Sequence, residues 1–293
     1  MTGLRPTATN RNGPLNRQPV HRQVASVLET IWSHPSNKDD RIRRVLLASY
    51  FQLKGRLFKR PLIVQLGNSS RIYAHLHFSA SSDVVYANPP ARDLLVWSRN
   101  LKSGDRFLDV GASVGVYSIW ALEQGATVIA VEPNPTAASL YRQNMKLNGY
   151  GPELVEAAVA DRPGQMSMTF DLDVANHLVL LPDARAQHVD LVPVTTVDDL
   201  IGDRTFAGVK LDVEGTEMMA LRGAQRALSE KRIGLLQIEW NYASMDVTGE
   251  DRTSIGRFLE GFGYGLYRAD DNGLLSPLRN PPAYGPDVFA RPT

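Results

Sequence analysis

The chain has 293 residues, with Lys+Arg 32 against Asp+Glu 31 and no cysteine. That length suits one large domain, or a domain with an appendage, and needs no disulfide or metal staple to bury a core. The missing thiols exclude thiolate zinc sites, Fe–S clusters, redox dithiols and a cysteine nucleophile. A formal net charge of +1 lacks the basic excess of nucleic-acid binders, and no apolar run approaches the roughly 18 residues of a membrane helix. The expectation is therefore a cytoplasmic protein with no nucleic-acid partner and no membrane insertion; a homo-oligomer is compatible with the sequence.

Residues 1–20, MTGLRPTATNRNGPLNRQPV, are poor in large apolar groups, carry Arg5, Arg11 and Arg17, and precede the first acid, Glu29. They predict a disordered tail. Residues 21–103 predict a helical and hairpin cap. Val24, Val27, Leu28 and Ile31 keep helical spacing, as do Ile42, Val45, Leu46 and Tyr50, and His34-Pro35 separates the two helices. PLIVQ (61–65) and RIYAHLHF (71–78) flank Leu66-Gly67-Asn68-Ser69-Ser70 as a hairpin, and a helix spans Ala91 to Leu101.

Residues 104–293 change rhythm to alternating strands and helices. FLDV (107–110), TVIAVE (127–132), LVEAAV (154–159), GVKLDV (208–213) and IGLLQIEW (233–240) read as strands. Val114 to Gln124, Pro135 to Leu147, Thr216 to Lys231 and Ser254 to Phe262 read as helices. Between the third and fourth sheet strands, QMSMTF and VDLVPV form an antiparallel pair around a long insertion, and short strands close the chain near 263–268 and 286–290. Repeated β-α-β units imply an α/β, mostly parallel sheet with helices on both faces.

The strongest chemical signal is Asp109-Val110-Gly111-Ala112-Ser113-Val114-Gly115, at a strand end that opens a helix. Gly111 suits a tight turn and Gly115 a close approach to ligand or sheet. Glu132 ends the next strand, where an acid can accept both hydroxyls of a ribose. A dinucleotide site would want G-x-G-x-x-G against a pyrophosphate. Here the glycines stand four apart and Asp109 precedes the first by two, an acid that suits an ammonium better than a phosphate. The ligand favoured is S-adenosylmethionine over NAD.

DVGASVGVYS, AVEPNP, NMKLNG, AVADRPG, TTVDDL and KLDVEGTEMMALRGA together resemble the FkbM-type methyltransferase family over about residues 105–240. The resemblance implies a class I methyltransferase Rossmann-like sheet with an antiparallel last strand, S-adenosyl-L-methionine as cofactor, and O-methylation of a sugar, glycan or secondary-metabolite hydroxyl. It further implies Asp109, Gly111, Ser113 and Gly115 around the methionine moiety, with Tyr117 on the turn above. Glu132 would take the ribose, bordered by Pro133 and Asn134, and Ala160 with Asp161 would stand near the adenine. Ser113 departs from the Asn common in the family at that place.

The second signal is Lys210-Leu211-Asp212-Val213-Glu214-Gly215, after an apolar strand. The next strand ends Glu239-Trp240-Asn241, so Asp212 and Glu239 should meet at one sheet edge. They are the candidate catalytic carboxylates, with His177 in the insertion as an alternative general base. A hard cation such as Mg²⁺ on Asp212, Glu239 and Asn241 is a second route to acceptor activation. Glu214 reads equally as a site acid or as an acid at a helix N-terminus. His75 and His77, two residues apart on one face of the hairpin, could line the substrate pocket, with solvent or edge packing the favoured reading. Asn88-Pro89-Pro90 and Asn280-Pro281-Pro282 sit in the wrong place for an amino-methylation motif and read as turns. The competing functional readings are a nicotinamide-dependent oxidoreductase and a cofactor-binding protein without turnover.

Overall fold

The computed structural model describes residues 20–76, 78–87, 92–170, 178–179, 189–240, 252–279 and 287–293. The expected tail, apart from Val20, lies outside them, as do His77, both Asn-Pro-Pro turns, His177 and Asn241.

The cap begins with α1 (Val20–Ser33) and α2 (Arg41–Phe58), parted by a single turn at Pro35–Asn37. Asn37 is fully buried in that turn. Its amide donates to the carbonyls of Ile31 and Tyr86, at 3.0 and 2.7 Å, so one side chain satisfies backbone acceptors on two elements. The hairpin follows as β1 (Leu62–Gln65) and β2 (Arg71–Ala74), antiparallel with Leu62 opposite Ala74. β2 stops four residues short of its expected end, and an unforeseen helix, α3 (Ser79–Tyr86), comes next. Ser81 explains the stop: its hydroxyl accepts from the His75 N–H at 2.9 Å and donates to the Phe78 carbonyl at 2.9 Å. A local side chain thus supplies the partner that a further ladder rung would have supplied. The helix α4 (Arg92–Asn100) ends the cap.

The main sheet contains β3 (Arg106–Val110), β4 (Thr127–Val131), β5 (Glu153–Val155), β9 (Phe206–Leu211), β10 (Ile233–Ile238), β11 (Tyr264–Ala269), β12 (Leu275–Pro277) and β13 (Val288–Pro292). Their spatial order is β12-β11-β13-β10-β9-β3-β4-β5. β3, β4, β5, β9 and β10 run parallel. The last strand, β13, inserts antiparallel between β10 and β11, so the sheet is mostly parallel with an antiparallel last strand, as expected.

Three smaller departures have local causes. The expected strand 154–159 divides into β5 and β6 (Ala158–Val159). β6 leaves the main sheet to pair with β8 (Val189–Thr195), which also carries β7 (Gly164–Thr169) antiparallel. The chain has to bend there because Glu132 N–H takes the Val155 carbonyl at 3.0 Å while Ala160 N–H takes that of Thr195 at 3.1 Å. The expected helix 216–231 divides into α8 (Glu217–Arg222) and α9 (Gln225–Ser229). At the break, a Cβ on Gly223 would lie 2.1 Å from the Ala160 carbonyl oxygen, so the backbones touch.

Helices cover both faces of the sheet, and side chains alternate between two buried clusters. On one face Phe107, Val128, Ala130, Leu235 and Phe289 pack under α4, α5 (Val116–Glu123), α6 (Pro135–Leu147) and the cap. Trp97 of α4 meets Phe107 edge-on at 4.8 Å and Phe289 at 6.2 Å. On the other face Leu108, Val110, Val209, Leu211 and Leu236 pack with α7 (Val197–Ile201), α8, α9 and α10 (Arg252–Gly261). The cap shares the first cluster, from Ile31 and Phe51 through to Trp120.

Polar contacts fix the cap on this base. Asn144 Oδ1 accepts from the Tyr73 N–H while its amide donates to the Val114 carbonyl, both at 2.8 Å. Asn148 accepts from the Arg71 N–H at 2.8 Å and donates to its carbonyl at 2.7 Å. The NMKLNG stretch therefore holds the edge of β2, its two asparagines one helical turn apart. Glu123 accepts the N–H and hydroxyl groups of Ser69 and Ser70 in the hairpin loop. Partial burial alone would raise its pKa, but these donors hold it below the ordinary glutamate value.

Candidate functional site

The C-terminal ends of β3, β4 and β9 border one cavity, where ligands sit in open α/β sheets. Its floor and walls include Val110, Gly111, Ser113, Glu132, Pro133, Asn134, Asp212 and Glu214, and the cap contributes Phe78. The turn after β3 is shaped by close packing. Gly111 has φ +79°, and a Cβ there would stand 1.8 Å from the Asp212 carbonyl oxygen. Gly115 has φ +91°, and a Cβ there would stand 2.6 Å from Met145 Cε. The first glycine lets β9 approach the turn, and the second lets α6 approach α5. The close approach expected of Gly115 is thus to a neighbouring helix. Two non-glycine residues beside the cavity, Ser113 and Glu214, have φ of 49° and 51°, in the sparsely populated left-handed region.

Glu132 is buried at the end of β4. One carboxylate oxygen accepts the Ser113 N–H and the other the Asn134 N–H, each at 2.8 Å. A carboxylate has about four acceptor positions, so two remain for a ligand diol. Burial pushes the carboxyl up to about 7, against the lowering effect of the two N–H donors. Apolar Val131, Pro133, Ala157, Val159, Met168 and Leu178 form adjoining walls, a surface suited to a planar base. These residues fit an adenosine moiety.

Beneath the cavity lies a buried layer of charge. Lys210 Nζ donates to Asp212 Oδ2 at 2.6 Å and sits 4.5 Å from the centre of the Tyr117 ring. Burial by itself would lower the Lys210 pKa, but Asp212, then Tyr117 and Asp109, raise it above the ordinary lysine value. Asp109 is buried too, with Oδ2 accepting the Ser118 hydroxyl at 2.6 Å, and burial raises its pKa. Gln237, in β10, accepts the Trp97 indole N–H at 2.5 Å and donates to Asp287 at 2.7 Å. Burial pushes Asp287 up to about 7. Glu239 rises well above the ordinary carboxylate range, first through burial and then through Asp212, Glu214, Glu217 and Asp287. Ligand atoms of Asp212, Glu214 and Glu239 lie within 4.8 Å of one another.

Gly111, Ser113, Glu132, Pro133, Asn134 and Asp212 stand at the cavity together, and Glu239 joins Asp212 as its sequence position suggested. Asp109 and Tyr117 are placed one layer down, among the buried charges. Ala160 is buried outside the cavity lining and Asp161 is exposed; the bend after Val155 puts Ala157–Val159 at the cavity. Glu214 is at the cavity and precedes α8, which starts at Glu217. His75 is half-buried, and burial lowers its pKa. The residues not foreseen are Phe78, Met168, Leu178 and Thr216 at the cavity, and Lys210, Gln237 and Asp287 beneath it. Lys210 carried one legible signal, a lysine inside an otherwise apolar strand, GVKLDV.

Residues 109–266 match the methyltransferase FkbM domain family. The chain belongs to the FkbM methyltransferase family. The parallel sheet with inserted antiparallel β13 is the class I architecture expected of it. A 31-O-demethyl-FK506 methyltransferase from Streptomyces tacrolimicus is 29% identical, the match covering 43% of this chain and 62% of the relative. A ribosomal protein L11 methyltransferase from Geobacter metallireducens is 33% identical over 31% of each chain. The chain therefore spans less than two thirds of either relative. Among solved structures, a Pyrococcus abyssi tRNA (uracil-54, C5)-methyltransferase aligns with a TM-score of 0.42 at 13% identity, over 79% of this chain and 44% of that one.

Proposed function

We propose that this FkbM family chain is an S-adenosylmethionine-dependent O-methyltransferase acting on a hydroxyl of a sugar, glycan or secondary metabolite. The observation that carries the reading is a buried Glu132, braced by two backbone N–H groups, in the same cavity as Asp212, which has Glu239 from the next strand beside it. The 31-O-methyltransferase relative supports oxygen as the acceptor atom, and family membership supports methyl transfer over nicotinamide chemistry.

The cofactor supplies an electrophilic methyl group on a sulfonium. Glu132 accepts the ribose hydroxyls, and the apolar walls from Val131 to Leu178 exclude water around the base. Gly111 and Ser113 line the turn, and Asp109 adds negative potential from below for the methionine ammonium. Asp212 and Glu239 would orient the acceptor hydroxyl and take its proton. Lys210 donates to Asp212 and holds it aimed, and burial together with the crowd of surrounding acids raises the proton affinity of Glu239. His177 remains a further proposed base; Gly115 and Tyr117 support the cofactor turn from behind, and Ala160 and Asp161 follow the cavity-lining segment Ala157–Val159.

A second reading of the acceptor side rests on the clustering of Asp212, Glu214 and Glu239. Three hard oxygen ligands suit Mg²⁺, with Asn241 as a further candidate, and such an ion would lower the acceptor pKa. Activity undiminished by EDTA rules this out.

Isothermal titration with S-adenosylmethionine and S-adenosylhomocysteine tests the proposal. Both should bind, and Glu132→Ala should weaken binding about 100-fold, from two lost charge-assisted hydrogen bonds. No binding of either compound sinks the reading. Labelled methyl transfer to a panel of hydroxylated small molecules and glycans, set against L11-type protein substrates, distinguishes the acceptor class.

A further inference from the structure

The cap helix α2 is apolar on two faces, and the base of the protein uses only one. Ala48, Phe51 and Gly55 are buried against the rest of the cap. Ile42, Leu46, Tyr50, Leu53 and Leu57 are 54% to 75% exposed. At about 100° per residue these five fall within an arc of roughly 80°, a continuous stripe four turns long. Val24, Leu28 and Trp32 make a matching exposed stripe on α1. Arg41 lies 5.5 Å over the Trp32 ring, where the end of α1 meets the start of α2. Helices apolar all round are normally covered, and an apolar patch of this extent marks an interaction surface.

The charge around the stripe identifies what covers it. Residues 41–60 contain seven Lys and Arg and no acid. Arg43 and Lys54 follow the stripe along one side of the helix and Arg56 along the other, with Lys59 and Arg60 at its end. Asp40, just before the helix, stands 3.7 Å from both Arg43 and Arg44. Residues 1–60 hold 12 Lys and Arg against 3 Asp and Glu, while the remaining 233 hold 20 against 28. The near-neutral total thus conceals a basic cap on an acidic body.

We propose that the outer face of α1 and α2 docks on an anionic lipid surface, with the two helices lying in the headgroup plane. A helix with an apolar stripe and cations on its flanks is built for that boundary: the stripe enters the acyl edge while Arg and Lys extend to the phosphates. The geometry is interfacial, since among the described residues no helix is long and apolar enough to cross a membrane. A second copy is a poor occupant, because a symmetric contact would set Arg43, Lys54 and Arg56 against their own equivalents. Residues 1–19 are a poor one too, with only Met1, Leu4 and Leu15 as large apolar side chains. The proposal does not depend on the identity of the methyl acceptor.

Co-sedimentation of the full chain with vesicles tests it. Vesicles of phosphatidylcholine with about 30% phosphatidylglycerol should retain the protein, and phosphatidylcholine alone should retain at least tenfold less. Neutralising Arg43 and Arg56 (Arg43→Gln, Arg56→Gln) should weaken binding about 25-fold at low salt, near fivefold per cation. The pair Leu46→Glu, Leu53→Glu should abolish sedimentation while leaving the affinity for S-adenosylmethionine unchanged, as both residues lie outside the cavity. Retention that is indifferent to lipid charge, or to both variant pairs, overturns the proposal. So does light scattering that shows a wild-type dimer which Leu46→Glu, Leu53→Glu converts to a monomer.

Discussion

The cavity floor and the outer face of the cap break the same rule in opposite directions. Beneath the cavity, Lys210, Asp109, Asp287 and Glu239 are ionisable groups placed inside. On α1 and α2, nine large apolar side chains are placed outside. Each departure costs stability when taken alone, and each becomes favourable only when a partner arrives. At the floor, part of the compensation is internal: Lys210 touches Asp212 and faces Tyr117. On the cap it has to come from another body. Buried charge is thus a local solution written within one chain, and exposed apolar surface is half of a solution.

The sharpest test of this contrast uses the two faces of α2. Phe51 is 1% exposed and meets Tyr86 edge-on at 6.1 Å, so Phe51→Ala should cost about 3–5 kcal/mol of unfolding free energy. Leu46→Ala, on the same helix, should change it by less than about 0.5 kcal/mol. Equal losses in urea denaturation would show that the stripe is covered within the chain.

Lys210→Met asks the corresponding question of the floor. It leaves Asp212 and Asp109 without their shared cation, and should cost roughly 3 kcal/mol, at the low end for a broken buried pair because Asp212 keeps some solvent. A variant as stable as the wild type would show that the floor carries no net charge.

The pH dependence follows from Glu132. Its carboxyl, at about 7 in the fold against 4.5 ordinarily, keeps a proton that the unfolded chain has already released between those values. Stability fully present below about pH 4.5 is therefore lost as pH rises through about 7. Glu132→Gln removes that loss. The variant should gain on the wild type by roughly 3 kcal/mol from pH 4.5 to pH 8, and parallel stability curves would refute the assignment.

The smallest expected effect is at Ser113. Its positive φ is tolerated better by asparagine, so Ser113→Asn should raise the melting temperature slightly, by up to about 1 kcal/mol in stability. The turn needs that conformation whatever polar contact the side chain makes. A lowered melting temperature would refute it.

Much of the molecule was legible because its signals are local. Pro135 and Asn148 bracket α6 as start and stop. The alternation of apolar residues and turns marked every parallel strand, and the acids at strand ends, Glu132, Asp212 and Glu239, had to share one edge once the sheet was parallel. Position in sequence then implied position in space, because a β-α-β unit returns each strand in the same direction.

Tertiary structure decided what no single segment contains. Whether Ala160 or Ala157 meets the cavity depended on a bend imposed by hydrogen bonds to two different strands. Gly115 serves a helix contact with Met145, 30 residues away. Lys210 reads as an oddity within its strand until Asp212, Asp109 and Tyr117 surround it. Helical spacing singled out Ile42, Leu46 and Tyr50 on α2, and only packing revealed that their face is left open while the face of Ala48, Phe51 and Gly55 is used. Periodicity records which residues avoid water, whereas the fold settles which of them have found something to meet.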